Sequence, residues 1–287
     1  GIWNTSGHVD VRNCRFTGNN VGILSWCFES DCDAVITVTN TILDHNLRIA
    51  VDANDLAIHH LINNTILANG CGVALNNADS RLENSIVVHN TNEGVIANHS
   101  PTVRYNDVWG NGCDYGGLVA GPGNVSVDPL FEDEGGSDYR LQIGSPVLDA
   151  GNPAAEYNDR NGGRNDLGAY GGPYALPVVN TRASAPVEAE ASVIVTWEGY
   201  AADGIVNYDV QYREGDGAWT DWLTQTTRTS AQFGPTEPVC VRAGTYGFRS
   251  RGHDSAGNVE AYPAEADAIT FLGGEYVYLP LVVRNVP

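Results

Sequence analysis

The sequence predicts an all-β chain, a solenoid of stacked parallel coils followed by a small β-sandwich. A short unit recurs through the first half: NCRFTGN from Asn13, NTILDHN from Asn40, NTILAN from Asn64, NSIVVHN from Asn84 and NDVWGN from Asn106. Counted from the first Asn, the spacings are 27, 24, 20 and 22 residues, a period that marks a solenoid. The pieces between are β-branched, too short for helices and bounded by Asn and Gly. Leucine-rich repeats have similar length, but their LxxLxL framework is absent.

Each unit holds a short apolar strand (TIL, SIVV), a turn, and a second strand such as GVALNN after Gly72 or GVIANH after Gly94. Coils stacked at about 4.8 Å turn every sequence column into a spatial ladder. Ile42, Ile66 and Ile86 are expected to stack inside, joined by Phe16 and Val108. Asn at the turns tolerates left-handed backbone and can bond along the ladder. With five units in register, residues 1–125 resemble the right-handed parallel β-helix repeat family.

VDPLF, YRLQIGSPVLDAGNP and DRNGGRNDLGAYGG then resemble the C-terminal closing segment of secreted bacterial β-helix proteins. A last coil otherwise exposes apolar surface and strand edges, so a cap is expected there, bringing the β-helix domain to 1–178. Asp149, Asp159, Asn161 and Asp166 could converge as oxygen ligands for Ca²⁺, the one cofactor these residues admit. Alternatively, the acids pair with Arg160 and Arg164 and need no metal.

Residues 179–186, in a Pro- and Ala-rich stretch, read as a linker. The strand candidates SVIVTW, NYDVQYRE, AQFGP, TYGFRSRGHD and DAITF follow, spaced as in a small sandwich, with Trp197, Tyr212 and Tyr246 as aromatic anchors. YDVQYREGDGAWTDW and TYGFRSRGHDSAGNVE resemble bacterial fibronectin type III modules over 187–272. The remaining 273–287 form an apolar tail in which YLPLVVRN resembles C-terminal tails of bacterial surface proteins. Tyr276, Val277, Tyr278, Leu279, Leu281, Val282 and Val283 read either as an edge strand of the sandwich or as a segment that docks on a neighbouring chain.

The 287 residues suit about two domains. With 42% hydrophobic and 17% charged residues the chain can bury a core. Its formal charge of −20 repels phosphate backbones, so nucleic acid is an unsuitable partner. There is no Met and no Lys; a trimmed piece of an exported protein is expected. No apolar run approaches the ~20 residues of a membrane span, so a soluble protein is expected. Of six Cys, Cys27 and Cys32 can close a small loop and are expected to be bonded. Cys71 and Cys113 share a column two coils apart, about 9.6 Å, beyond the reach of a bridge. No CxxC pair supports zinc or thiol-redox chemistry.

Catalysis has little support. Glycoside hydrolysis needs two carboxylates about 5–9.5 Å apart. The column after the second strand reads Ser25, Asp52, Asn76 and Asn98, one acid with two amides. Asp52 with Asp55, near Arg48, is the best catalytic candidate. His45 and His89 share a column interrupted by Ala68, and the adjacent His59 and His60 point to opposite faces of a strand. No GxSxG, P-loop or HExxH occurs. The expected function is a secreted or cell-surface protein acting structurally or in adhesion, through self-association or with other surface proteins. The alternatives are a polysaccharide lyase or glycoside hydrolase, and a glycan-binding protein without catalysis.

Burying a carboxylate in the predicted stack is severe, whereas an exposed turn tolerates change. Ile66→Asp is expected to cost several kcal/mol and Asp79→Asn almost nothing, compared by thermal melts.

Overall fold

A computed structural model of the chain describes residues 1–27, 33–53, 56–175, 179–189, 192–201, 204–234 and 244–273. It is all-β and divides into two compact units, the first running from Gly1 and the second from Val179. Three parallel sheets build the first unit. Sheet A contains Ile2–Asn4, Val21–Ser25, Ile49–Ala53, Cys71–Ala74, Glu93–Ile96 and Cys113–Gly116. Sheet B contains His8–Arg12, Val35–Thr39, Ile58–Ile62, Arg81–Glu83 and Thr102–Arg104. Sheet C contains Arg15–Thr17, Ile42–Asp44, Thr65–Leu67, Ile86–Val88 and Asp107–Trp109. The chain visits A, B and C in turn and pairs each strand with its counterpart one coil on, the arrangement of a parallel β-helix.

Two left-handed residues bracket every strand of sheet C. Before it stand Asn13, Asn40, Asn63, Asn84 and Tyr105, with φ between 49° and 53°. After it stand Gly18, His45, Ala68, His89 and Gly110, with φ between 53° and 68°. A single left-handed residue turns the chain sharply, and Asn and Gly bear that conformation best. Beyond the second corner the amides stack. Asn46 donates its backbone N–H and its Nδ2 to Asn69 Oδ1, both at 2.9 Å. Asn69 does the same to Asn90 at 3.0 Å, and Asn19 and Asn90 to their own successors. Asn111 ends the ladder on Asp114 Oδ1. A second ladder at the first corner passes from Thr41 through Asn64, Ser85 and Asn106 to Asn124.

These ladders set the register, and they correct the inward column. The units align on their second Asn, because NTILAN and NDVWGN are one residue shorter than the others. Phe16, Leu43, Ile66, Val87 and Val108 are therefore partners. Ile42 and Ile86 move to the neighbouring column with Arg15, Thr65 and Asp107. Ile66 and Val108 lie where the sequence placed them, fully buried. Sheets A and B contribute Ile23, Val51, Val73 and Val95, and Val38, Leu61 and Leu82, to the same core. Each such buried side chain stabilises the stack by roughly 1.5–3 kcal/mol. Cys71 and Cys113 are free thiols on opposite sides of Glu93. Cys27 is disulfide-bonded; Cys32, its expected partner, lies outside the described residues.

Residues 127–175 do more than close the last coil. They return along the outer side of sheet C as a strap, burying Phe131, Tyr139, Leu141, Val147 and Leu167 against Leu67, Ile86 and Val88. The strap begins as a hairpin of Phe131–Asp133 and Asp138–Leu141. Farther on, Gly168, with φ 90°, lies so close that a Cβ there would sit 2.8 Å from Ile86 Cδ1.

The second unit has a three-stranded sheet (Val179–Ser184, Val193–Ala201, Ser230–Phe233) and a five-stranded one (Glu188–Ala189, Ala268–Leu272, Gly244–Asp254, Ile205–Glu214, Thr220–Thr226). Trp197, Val210, Tyr246 and Phe248 form its core, with Tyr212 partly buried at the margin. The stretch read as a linker at 179–186 contains the strand Val179–Ser184. Ala183 there is buried, and its N–H is accepted by Asp267, which ties the segment into the unit. The apolar tail from residue 274 lies outside the described residues.

A histidine also stands in the solenoid core. His59 pairs with Ile36 in an inward column of sheet B and is fully buried, with neither ring nitrogen hydrogen-bonded. Burial lowers its pKa to about 3, with His60 adding to the shift. An unfolded histidine protonates near 6.5, so His59 costs stability progressively as pH falls from about 6.5 to about 3. His59→Leu is expected to raise the melting temperature at pH 7 by removing unpaired polar atoms and to flatten that acid-side loss, both measurable by calorimetry.

Candidate functional site

Asp52, the best catalytic candidate, projects from the outer face of sheet A. Its column is Leu24, Asp52 and Ala74, with Ile96 one coil farther. The expected column of Ser25, Asp52, Asn76 and Asn98 does not form: Ser25 pairs with Ala53. Relative to Asp52, the expected column was off by one residue at Ser25 and by two at Asn76 and Asn98. Arg48, four residues before Asp52, forms an ion pair with it. Burial raises the Asp52 carboxyl above the ordinary range, and Arg48 opposes that shift. Asp55 lies outside the described residues.

A second carboxylate is missing from this neighbourhood among the described residues. On the same sheet, Glu93 is two coils away and three residues off the column, a Cα separation of about 14 Å from strand geometry, and Asp114 lies one coil farther. That exceeds the span of either glycosidase arrangement. Asp52 and Arg48 can bind a polar ligand, but among the described residues they have no second acid for acid–base hydrolysis.

The acids proposed for calcium do gather, but around backbone. Asp166 Oδ1 accepts the Asp149 N–H at 2.6 Å. Asp159 accepts the N–H groups of Asp166 and Gly172, and Asn161 Oδ1 that of Gly163. Burial, then the Asp166 charge, raises the Asp159 carboxyl. Among the described residues no group of three or more His, Cys, Asp or Glu side chains is arranged to hold a metal. Arg164 donates to the carbonyls of Gly151 and Ala150, and Arg160 Nη1 to that of Ala175. This cluster folds the turn of the strap.

The dense polar constellations lie between coils and strap. Buried Asp44 takes Arg15 Nε at 3.1 Å, Tyr139 Oη at 2.9 Å and His45 Nδ1 at 3.1 Å. Burial opposes its ionisation, yet Arg15, Tyr139 and His45 outweigh burial and hold the carboxyl below the usual range. Glu83, also buried, meets Arg104 and the Tyr157 hydroxyl, and His89 meets Glu134 at 2.8 Å. The first-corner asparagines bind the strap directly. Asn13 donates to Tyr174 O, Asn40 to Ala169 O and Gly171 O, and Asn63 to Asp166 O, while Asn84 Oδ1 accepts the Asn152 N–H. Sequence reasoning saw these asparagines but not their partners. The pairing of a left-handed Asn with a Gly-rich segment about a hundred residues later was the available signal.

In the second unit Arg213, Trp219, Arg249, Tyr262 and Arg251 stack alternately, with guanidinium carbons 4.1–4.8 Å from the ring centres. Arg251 and His253 converge on Asp209, and Arg249 donates to Gln211. These cations are engaged by neighbours and form a sheath over the sheet. No protein-family model and no curated protein matches this chain. No helix among the described residues is long and apolar enough to cross a membrane.

Tyr139→Phe deletes the strap's donor to a buried carboxylate and is expected to cost about 1.5–3 kcal/mol in urea unfolding. Because the Asp44 carboxyl is lowered in the fold, the stability it supplies is present above its unfolded value and disappears as pH falls through its folded value. The variant's penalty is therefore largest at neutral pH.

Proposed function

We propose that the chain is an extracellular structural or adhesive protein of a cell surface, built as a right-handed parallel β-helix followed by a fibronectin type III-like module. The observation that carries this reading is where its polar side chains are engaged. The corner asparagines, Asp44, Glu83 and the Asp159–Asp166 pair bind backbone or the strap, and among the described residues Asp52 has no second acid at hydrolytic distance. The molecule invests its polar chemistry in rigidity. The disulfide at Cys27 fits an oxidising compartment. Self-association is the expected mode of action, with Tyr276 to Val283 of one subunit adding to an exposed sheet edge of another. Such a heterologous contact extends into fibres or a lattice.

Light scattering and electron microscopy of the full chain, beside one ending at Gly274, test this. Concentration-dependent polymers from the full chain alone support it; identical monomers at high concentration overturn it. Turnover of an acidic polysaccharide that is lost in Asp52→Asn would establish the enzymatic alternative instead.

A further inference from the structure

The upper end of the solenoid leaves one buried carboxylate oxygen over. Asp107 follows Ile86 in the outer column of sheet C and is fully buried. Its Oδ1 accepts the Val127 N–H at 3.1 Å; its Oδ2 has no hydrogen-bond partner. Residues 124–127 are the last rung laid on sheet C. Val125 donates to Asn106 O at 2.8 Å, Val108 donates to Val125 O at 3.0 Å, and Asn124 closes its ladder. The same rung leads into the strap, so Asp107 sits where coil stacking hands over to the outer cover.

The charged groups facing Asp107 are both acidic, Asp114 from the coil and Asp128 from the strap. Tyr115, from sheet A, lies within electrostatic reach of Asp107, and its buried hydroxyl faces Asn124. The coil-to-strap ion pair of His89 with Glu134 is engaged with itself. No cation among the described residues compensates this carboxylate.

We propose that Asp107 is a proton-operated latch on the last rung of the solenoid. Protonated, the carboxyl stays buried as a neutral group and keeps its bond to Val127. Ionised, it is an uncompensated buried charge facing two further acids, and the rung opens to let water reach it. Burial, followed by Asp114 and Asp128, raises the Asp107 carboxyl to about 7 in the closed form, against the opposing bond from Val127. Opening returns it towards the ordinary value near 3.9. The closed form then binds the proton more tightly, so closure weakens as pH rises. The opening equilibrium should grow about tenfold per pH unit between about 4 and about 7, and level off above.

Hydrogen exchange of the full chain, read by mass spectrometry at pH 5, 6, 7 and 8 and corrected for intrinsic rates, tests the latch. Peptides spanning Val125 and Val127 should lose protection about tenfold per unit up to about pH 7, while peptides from Val35–Thr39 keep theirs. Asp107→Asn keeps the acceptor without the charge and should make the profile flat; His89→Gln should leave it unchanged. If Asp107→Asn does not fold, Asp128→Asn decides, because removing a facing acid should move the slope to lower pH range. A flat profile in the unaltered chain, a slope that persists in Asp107→Asn, or no displacement in Asp128→Asn overturns the proposal.

Discussion

The first unit depends on one interaction, the amide ladder. Stacked parallel coils meet a problem at every corner, where the chain turns away from the sheet and its backbone N–H loses a strand partner. A buried N–H without an acceptor costs about 1–3 kcal/mol. Asn46, Asn69 and Asn90 solve this identically, each side-chain oxygen accepting two donors from the coil before. The Nδ2 of each also reaches a backbone carbonyl, as Asn69 does to Leu43 O. Ladder and core then reinforce each other, since the amide column fixes which apolar residues stack.

The asparagines divide the labour. Those at the second corner, with Asn64 and Asn106 at the first, join coil to coil. Those at the first corner, in left-handed conformation, direct their side chains at the returning strap. The repeat thus encodes two perpendicular sets of contacts, one along the solenoid and one outward. This explains why Leu67, Ile86 and Val88 on the outer face of sheet C are covered rather than exposed, and why Gly168 is small where it crosses Ile86 and Thr65.

The existence of coils, their period and the buried Ile66 were legible because they follow from local pattern. Register was only partly legible. Asn40 and Asn64 look equivalent in sequence, yet Asn40 occupies the left-handed corner and Asn64 the ladder one step later, because NTILAN is one residue shorter than NTILDHN. The path of the strap was not legible, since Asn63 and Asn165 are brought together by the fold and no local period relates them. Val179–Ser184 was misread because its Pro- and Ala-rich surroundings hid a strand pinned by Asp267. At the candidate sites, Asp52 stands beside Arg48, its other expected neighbour Asp55 lies outside the described residues, and the distance to Glu93 followed only from register. The acids of the strap were recognised as a cluster, while their backbone partners required the folded turn.

The central claim, that neighbouring asparagines act as a cooperative column, is tested most directly by a double-mutant cycle in urea. Asn46→Ala and Asn69→Ala adjoin in the ladder, while Asn19→Ala and Asn111→Ala stand at its two ends. The account predicts a coupling energy of about 1 kcal/mol or more for the adjoining pair, and additivity within about 0.5 kcal/mol for the separated pair. Small and additive effects for both pairs would contradict it, leaving apolar stacking alone to hold the coils.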